Sequence, residues 1–284
     1  MGLSVRVAAA QIECQPGDIR ANLDAHLSAL RMAQAEGAEL VVFPELSLTD
    51  YLSEPDVEAL ARPAHGEELR EIASAAGQTV VSVGFIERGS DGRIYNAQAL
   101  VTGGACVHVH RKANLPTYGQ LAEGRFYTPG EAVELAPITE RWKAATLICA
   151  DTWNPALPWL AAVQHPDILI VPVASSLDAV GGEFDNPGGW DLNLRHTAMT
   201  YGLPTIMVNH CGRRGGLNFW GGSRVLDPFG RELARAGAES GLIFADLNLS
   251  DIATARQRLP TIRDADPDLV HRVLGRVLGN QAGR

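Results

Sequence analysis

Three side chains with the chemistry for acyl transfer stand at the ends of apolar runs. Cys149 closes the run Ala144 to Ile148, and Asp151, Thr152, Trp153 and Pro155 follow at once. Glu45 follows Leu40-Val41-Val42-Phe43-Pro44, and Lys112 follows Val107-His108-Val109-His110-Arg111. A strand that runs out of a sheet and turns into a helix puts its last side chain in a cleft. The helix-start N–H groups there favour negative charge, so a cysteine in that place can have a lowered pKa and act as a nucleophile. A carboxylate nearby can take the thiol proton, and an ammonium can stabilise thiolate and oxyanion. In α/β sheets the crevice beyond strand ends is where ligands bind. The bland readings are a buried core cysteine and two solvated loop residues. Spacing alone leaves both open.

The motifs around these residues separate the two. FPELSLTDY (43–51), HRKANLP (110–116) and LICADTW (147–153), in this order, resemble the three catalytic motifs of the nitrilase, or carbon–nitrogen hydrolase, superfamily. YGLPTIMVN, GGSRVLDPFGREL and RLPTIRDADPDL are similar to its later elements, so the resemblance covers nearly the whole chain. It implies an α/β fold, a four-layer α-β-β-α sandwich with mixed sheets. It also implies a Cys–Glu–Lys triad, with Cys149 as nucleophile, Glu45 as general base and Lys112 as the electrostatic residue. In EGRFYTPG, Glu123 matches the family's second active-site glutamate. The N–H of Ala150 would share the oxyanion hole with Lys112. A thioester on Cys149, then hydrolysed by water, would need no cofactor and no metal.

True nitrilases typically carry Trp-Glu after the cysteine; here Ala150-Asp151 favours amide substrates. CADTWNP and LPTYGQLAEGRFYTPG most resemble the glutaminase domains of glutamine-dependent NAD synthetases. The chain ends before a synthetase domain could begin and has no SGGxDS-like loop, so a stand-alone amidase is expected. The alternative within the class is an N-carbamoyl-amine or N-carbamoyl-amino-acid amidohydrolase. The family's Asn-Ala-Ser-like stretch reads Val173-Ala174-Ser175-Ser176 here, which leaves substrate preference open. Tyr51, Tyr118, Trp153 and Ser175 are candidate pocket residues, and each is also readable as plain packing. An acyl transferase and a non-catalytic scaffold are the rival classes. The first branch is usually membrane-embedded or fused, and the absence of spans in this sequence counts against it; the second sits poorly with an intact Glu45, Lys112, Glu123 and Cys149. Other chemistry is sparse. His108 and His110 share a strand face and could form a metal pair, but no Cys/His cluster joins them. There is no GxSxG, GxGxxG or Walker loop. Arg195 and His196 read as structural, with Arg195 a possible steering group for an acidic substrate. Cys14, Cys106 and Cys211 read as passive.

The elements that must position these groups alternate early and pair late. Leu3 to Ile12 reads as a strand. Asp18 caps a helix over Ile19 to Glu36, whose apolar residues recur at steps of three and four. Leu40 to Phe43 is wholly apolar, the pattern of a strand covered on both faces. A helix over Arg62 to Ala76, a strand over Thr79 to Ile86 and a hairpin around Gly103-Gly104 follow. Arg111 to Gly130 is long and irregular, a length that marks function when the segment is ordered, and its aromatic residues argue for order. Trp142 to Cys149 reads as the strand behind the cysteine. Pro155 to Gln164 is a helix, Asp167 to Val173 a strand, Trp190 to Tyr201 a helix and Pro204 to Asn209 a strand. A β meander over Leu217 to Leu247 and two short helices complete the chain. The pattern is one of layered mixed sheets with helices outside, and no linker or repeat divides it, so 1–284 is read as one domain.

Bulk properties narrow the field further. A chain of 284 residues with 46% hydrophobic and 20% charged content buries a full core without staples. A net charge of −9 argues against nucleic acid as a partner. Four scattered cysteines, no signal-peptide pattern at the start and no run of about 20 apolar residues suggest a reducing cytoplasm and no membrane. The expected partners are a small amide or carbamoyl substrate and, by resemblance, a second copy of the chain in at least a homodimer.

Overall fold

Two six-stranded mixed sheets lie face to face, with helices on both outer surfaces. The structure, a computed structural model, describes residues 3–52, 54–119, 121–181 and 183–282. Gln120, within the irregular stretch, lies outside them. The first half runs β1 (Ser4–Gln11), α1 (Ile19–Ala35), β2 (Leu40–Val42), α2 (Val57–Leu60), α3 (Glu67–Ala76), β3 (Val80–Arg88), β4 (Ile94–Thr102) and β5 (Ala105–Arg111). The second runs β6 (Leu135–Pro137), β7 (Lys143–Thr146), α4 (Ala156–Ala162), β8 (Ile168–Val173), α5 (Asn186–Tyr201), β9 (Thr205–Asn209), β10 (Cys211–Arg214), β11 (Leu217–Trp220), β12 (Arg224–Leu226), β13 (Glu232–Arg235), β14 (Gly241–Asn248), α6 (Leu249–Arg258) and α7 (Pro267–Ala282).

One sheet has the order β14-β1-β2-β3-β4-β5 and the other β13-β12-β9-β8-β7-β6, with β10 and β11 as a separate ribbon. At the centre of each sheet three strands are parallel: β1, β2, β3 and β7, β8, β9. Antiparallel strands flank them. The period-two geometry of a strand explains the layering. Val5, Val7 and Ala9 of β1 and Leu40 and Val42 of β2 meet Ile168, Ile170, Ile206 and Val208 of the facing sheet. The intervening Ala8, Ala10, Val41 and Phe43 point the other way and pack on Leu23, Leu27 and Leu30 of α1 and on Leu69 and Ile72 of α3. On the far side Leu169, Val171 and Met207 pack on Trp190, Leu194 and Ala198 of α5. The architecture is the α-β-β-α sandwich expected from the sequence.

Asp18 caps α1 through the Ala21 N–H, as expected. Several boundaries differ. The helix read from Arg62 begins only at Glu67, because Arg62 is drawn into a parallel bridge with Glu87. The strand read up to Cys149 stops at Thr146 and gives way to a short 3-10 turn over Cys149–Trp153. The late meander is not one. Two glycines with positive φ, Gly221 and Gly222, split Leu217 to Leu226 into β11 and β12. β14 leaves its neighbours and pairs antiparallel with β1 in the opposite sheet, over eight residues from Ser4↔Asn248 to Gln11↔Gly241. α7 leaves Leu269, Val273, Leu274 and Val277 exposed. Among the described residues no helix is long and apolar enough to cross a membrane.

Candidate active site

Glu45 stands just beyond β2 in a loop locked from below. The Phe43 N–H donates to the Ser82 carbonyl and the Leu48 N–H to the Gly84 carbonyl, both at 2.9 Å. The loop lies so close over β3 that a Cβ on Gly84 would sit 2.3 Å from the Leu46 nitrogen and 2.4 Å from the Pro44 oxygen; only glycine permits the approach. Leu46 and Asp50 take φ of 52° and 64° to complete the turn. A buried relay braces it from the side. Arg214 donates to Asp50 Oδ1 at 2.6 Å and to His210 Nδ1 at 2.8 Å. A guanidinium only donates, so Nδ1 accepts and Nε2 carries the imidazole proton. That Nε2–H donates to the Glu45 carbonyl at 2.6 Å. Burial, with Arg214 beside it, lowers the His210 pKa and keeps the ring neutral.

Lys112 stands beyond β5, its N–H donating to the Asn96 carbonyl and its carbonyl accepting from Gly130, both at 2.8 Å. Its ammonium is fully buried and lies between two carboxylates. It donates to Glu45 Oε1 at 2.6 Å and to Glu123 Oε1 at 2.8 Å. Asn96 Nδ2 gives Glu45 Oε1 a second donor at 2.7 Å, and the Ala174 N–H binds Oε2 at 2.9 Å. Tyr51 donates to Glu123 Oε1 at 2.9 Å. The other Glu123 oxygen, Oε2, is buried with no hydrogen-bond partner among the described residues. Glu123 comes from the turn Glu123–Arg125 inside the otherwise irregular stretch.

Cys149 comes from the other sheet. Beyond β7, the Leu147 N–H still follows Ile170 of β8 at 2.9 Å, then the chain turns with Cys149 at φ 47°. Asp151 fixes this turn. Its Oδ2 accepts from the Ile148 N–H at 2.9 Å and from His110 Nε2 at 3.0 Å, while Oδ1 accepts from the N–H groups of Ala113 and Asn114 at 3.0 and 2.7 Å. Asn114 Nδ2 donates to the Ala150 carbonyl at 3.1 Å. One buried carboxylate therefore ties the turn carrying Cys149 to the loop carrying Lys112. The Ala174 N–H that binds Glu45 also favours the Cys149 thiolate.

Charge in the site differs from expectation. Burial, and then the Glu45 carboxylate, push the Cys149 thiol well above its ordinary pKa, against the pull of Lys112 and the Ala174 N–H. The lowered pKa expected from the sequence does not hold, because burial disfavours the thiolate and two carboxylates outweigh the one ammonium. Burial alone would depress Lys112, but Glu123 and Glu45 override it and hold its pKa well above normal. Burial raises Glu123 to about 7, with Lys112 opposing and Glu45 adding to the rise. Tyr51, raised by burial and then by Glu123 and Glu45, remains a donor.

Above Cys149 opens a cavity of about 250 Å³. Tyr51, Tyr118, Glu123, Ala150, Trp153 and Ser175 all line it. Trp153 stands edge-on to Trp190 and Phe184, at 5.2 and 6.0 Å between ring centres. Ser175 Oγ accepts from the indole N–H groups of Trp190 and Trp220 at 3.0 and 3.2 Å, so this hydroxyl holds the wall in place. Tyr118 sits at the mouth, half exposed.

Of the His108/His110 pair, His110 is hydrogen-bonded through Nε2 to Asp151 at 3.0 Å. Cys14, Asp50 and His210 approach closely enough for an ion, but the Arg214 guanidinium already occupies both Asp50 oxygens and His210 Nδ1. Arg195 pairs with Asp191 at 2.7 Å on its own helix, in keeping with a structural role. The sequence reading missed Asn96, Ala174 and His210, and saw Asp151 only as a departure from Trp-Glu. Asn96 had a signal: with Gln98 it is a polar residue inside a strand otherwise apolar on both faces. Ala174 acts through its backbone and had none.

A family model described as carbon-nitrogen hydrolase matches residues 6–257. Over 255 residues the chain is 33% identical to the glutamine-dependent NAD(+) synthetase of Thermotoga maritima, covering 87% of this chain and 42% of that protein; the chain thus spans less than half the length of that relative. It is 29% identical over 279 residues to the human deaminated glutathione amidase, covering 93% and 83% of the two chains. An amidase structure from Nesterenkonia sp. superposes with a TM-score of 0.78 at 26% identity, covering 94% of this chain and 95% of that one.

Proposed function

Because the chain belongs to the carbon–nitrogen hydrolase family, we propose that it hydrolyses linear amides to ammonia and a carboxylic acid through a thioester on Cys149. The observation that carries this reading is the buried hydrogen-bonded row Glu45–Lys112–Glu123 at the floor of the cavity that Cys149 opens into.

The raised thiol pKa shapes the mechanism. Cys149 rests as a neutral thiol, so its proton leaves for Glu45 as sulfur attacks the carbonyl carbon, and no free thiolate is stored. The developing oxyanion is held by the Lys112 ammonium and the Ala150 N–H; one such donor is worth about 10²–10³ in rate. Glu123 Oε2, without a partner among the described residues, accepts an N–H of the substrate amide, which orients the carbonyl toward Lys112. As the carbon–nitrogen bond breaks, Glu45 returns its proton to the leaving nitrogen and ammonia departs. Water then enters, gives a proton to Glu45 and attacks the thioester. The carbon–sulfur bond breaks and Cys149 recovers its proton. Glu45 serves both halves because Lys112, Asn96 and the Ala174 N–H hold it in one position.

The test is ammonia release from a panel of primary amides, N-carbamoyl compounds and nitriles, with Cys149→Ala as control. Turnover of an amide, lost by at least about 10³-fold in the variant, is expected, together with a thioester adduct on the cysteine peptide by mass spectrometry. Release that persists in Cys149→Ala would overturn the reading. Part of the same proposal is assembly into at least a homodimer in a reducing cytoplasm; light scattering that returns the mass of one protomer would refute the assembly.

A further inference from the structure

The cavity walls carry information about the acyl group, provided the amidase reading stands. Leu121, Trp153, Ala179, Val180, Phe184 and Trp190 make a continuous apolar surface running outward from Cys149. The single carboxyl group among the described lining residues is that of Glu123, neutral or negative but never a cation. Among those residues there is no arginine, lysine or histidine. The ammonium nearby, Lys112, is fully buried and already bonded to two carboxylates. Asn186, the amide side chain in the wall, donates its Nδ2 to the Ser176 carbonyl at 2.6 Å. The hydroxyl of Ser175 is taken by two indoles.

A substrate carboxylate in this cavity would lose its hydration, find no cation and face the field of Glu45 and Glu123. An uncompensated buried charge is strongly penalised. An apolar group gains from the same surface in proportion to the area it buries. Size is informative too. An apolar cavity of about 150 Å³ holds a benzene ring, so about 250 Å³ accommodates a ring or a short alkyl chain together with its amide.

We propose that the preferred substrates are primary amides of uncharged, medium-sized aliphatic or arylalkyl acids, and that amides bearing a carboxylate, including glutamine and N-carbamoyl amino acids, are rejected. The aromatic corner of Trp153 and Phe184 seats the acyl chain. Glu123 and Lys112 take the amide. The apolar rim formed by Val180 and Tyr118, both partly exposed, takes whatever extends outward.

The experiment compares kcat/KM on the unaltered protein for hexanamide and phenylacetamide against glutaramate, L-glutamine and N-carbamoylglycine. The neutral amides should exceed the charged ones by about 100-fold or more, and hexanamide should exceed glutaramate, which has similar length, by the same margin. Val180→Arg, which adds a cation at the rim, should raise kcat/KM for glutaramate at least about tenfold and lower it for hexanamide. Glutaramate or glutamine turned over as well as hexanamide would overturn the substrate class while leaving the amidase reading intact. No turnover of any amide, with no thioester formed, would remove the reading on which the inference rests, and the inference with it.

Discussion

At Glu123 a carboxyl group is held at about 7 where a free one titrates at 4.5, and both stability and activity follow from that. In the folded chain it keeps its proton up to neutral pH, while the unfolded chain releases it near 4.5. Between these values the native state binds more protons than the unfolded state, so stability falls as pH rises through the window and levels off above it. At 1.36 kcal/mol per unit the fall is about 3 kcal/mol at most. Glu123→Gln removes the titration, so its Tm should decline less than the unaltered protein's between pH 5 and pH 8; parallel declines would contradict the assignment. Activity runs the opposite way. Glu123 must be ionised to balance Lys112 and accept a substrate N–H, so kcat/KM should rise with a midpoint near pH 7. Glu123→Gln should lose that limb and about 10²-fold in rate. A residue that costs stability in the pH range where it serves the chemistry is a familiar property of active sites.

At the scale of elements, Asp151 is the tie between the two loops that carry Cys149 and Lys112. It accepts four hydrogen bonds that join the turn of Cys149 to the loop of Lys112, and it is fully buried. Asp151→Ala would strand those donors and is expected to cost about 3–5 kcal/mol. Asp151→Asn keeps one acceptor oxygen and should fold. Its displaced nucleophile should cost about 10²-fold in kcat with little change in KM, measured by steady-state kinetics on a protein of checked Tm; an unchanged kcat would show that the two elements hold their places without it. The elements themselves were largely legible. Caps such as Asp18, apolar runs such as Leu40 to Phe43 and the periodicity of α1 are local signals. The motif resemblance carried Glu45, Lys112, Cys149 and Glu123. What stayed hidden is non-local. Nothing in Gly241 to Asn248 says that the strand crosses to pair with β1. Nothing near Cys149 says that burial, with Glu45 and Glu123 gathered around it, will raise its pKa. Asp151 and His110 read as unrelated until the two loops meet.

At the scale of the molecule, the site is assembled across the sandwich. Glu45 and Lys112 stand at strand ends of one sheet, and Cys149 and Ala174 at strand ends of the other. Their alignment therefore depends on how the two sheets seat on each other, through the layer that includes Val7, Val42, Ile170 and Ile206. The outer layers, such as Leu30 of α1 against the back of the first sheet, hold the fold but do not set that alignment. Ile206 and Leu30 are equally buried, and either change to alanine should cost about 2–5 kcal/mol. The two should part in function. With both variants assayed at a temperature where each is folded, Ile206→Ala should lower kcat/KM about tenfold or more, because a shift between sheets moves sulfur relative to carboxylate. Leu30→Ala should leave it within about twofold. Equal losses would mean that the site responds to overall softening of the core, and equal retention that the loops around Asp151 hold the two halves in register whatever the inner layer does. The bonds at Asp151 and the inner layer act on the same alignment, so Ile206→Ala combined with Asp151→Asn should lose more than the product of the single effects. Two changes at independent sites would simply multiply.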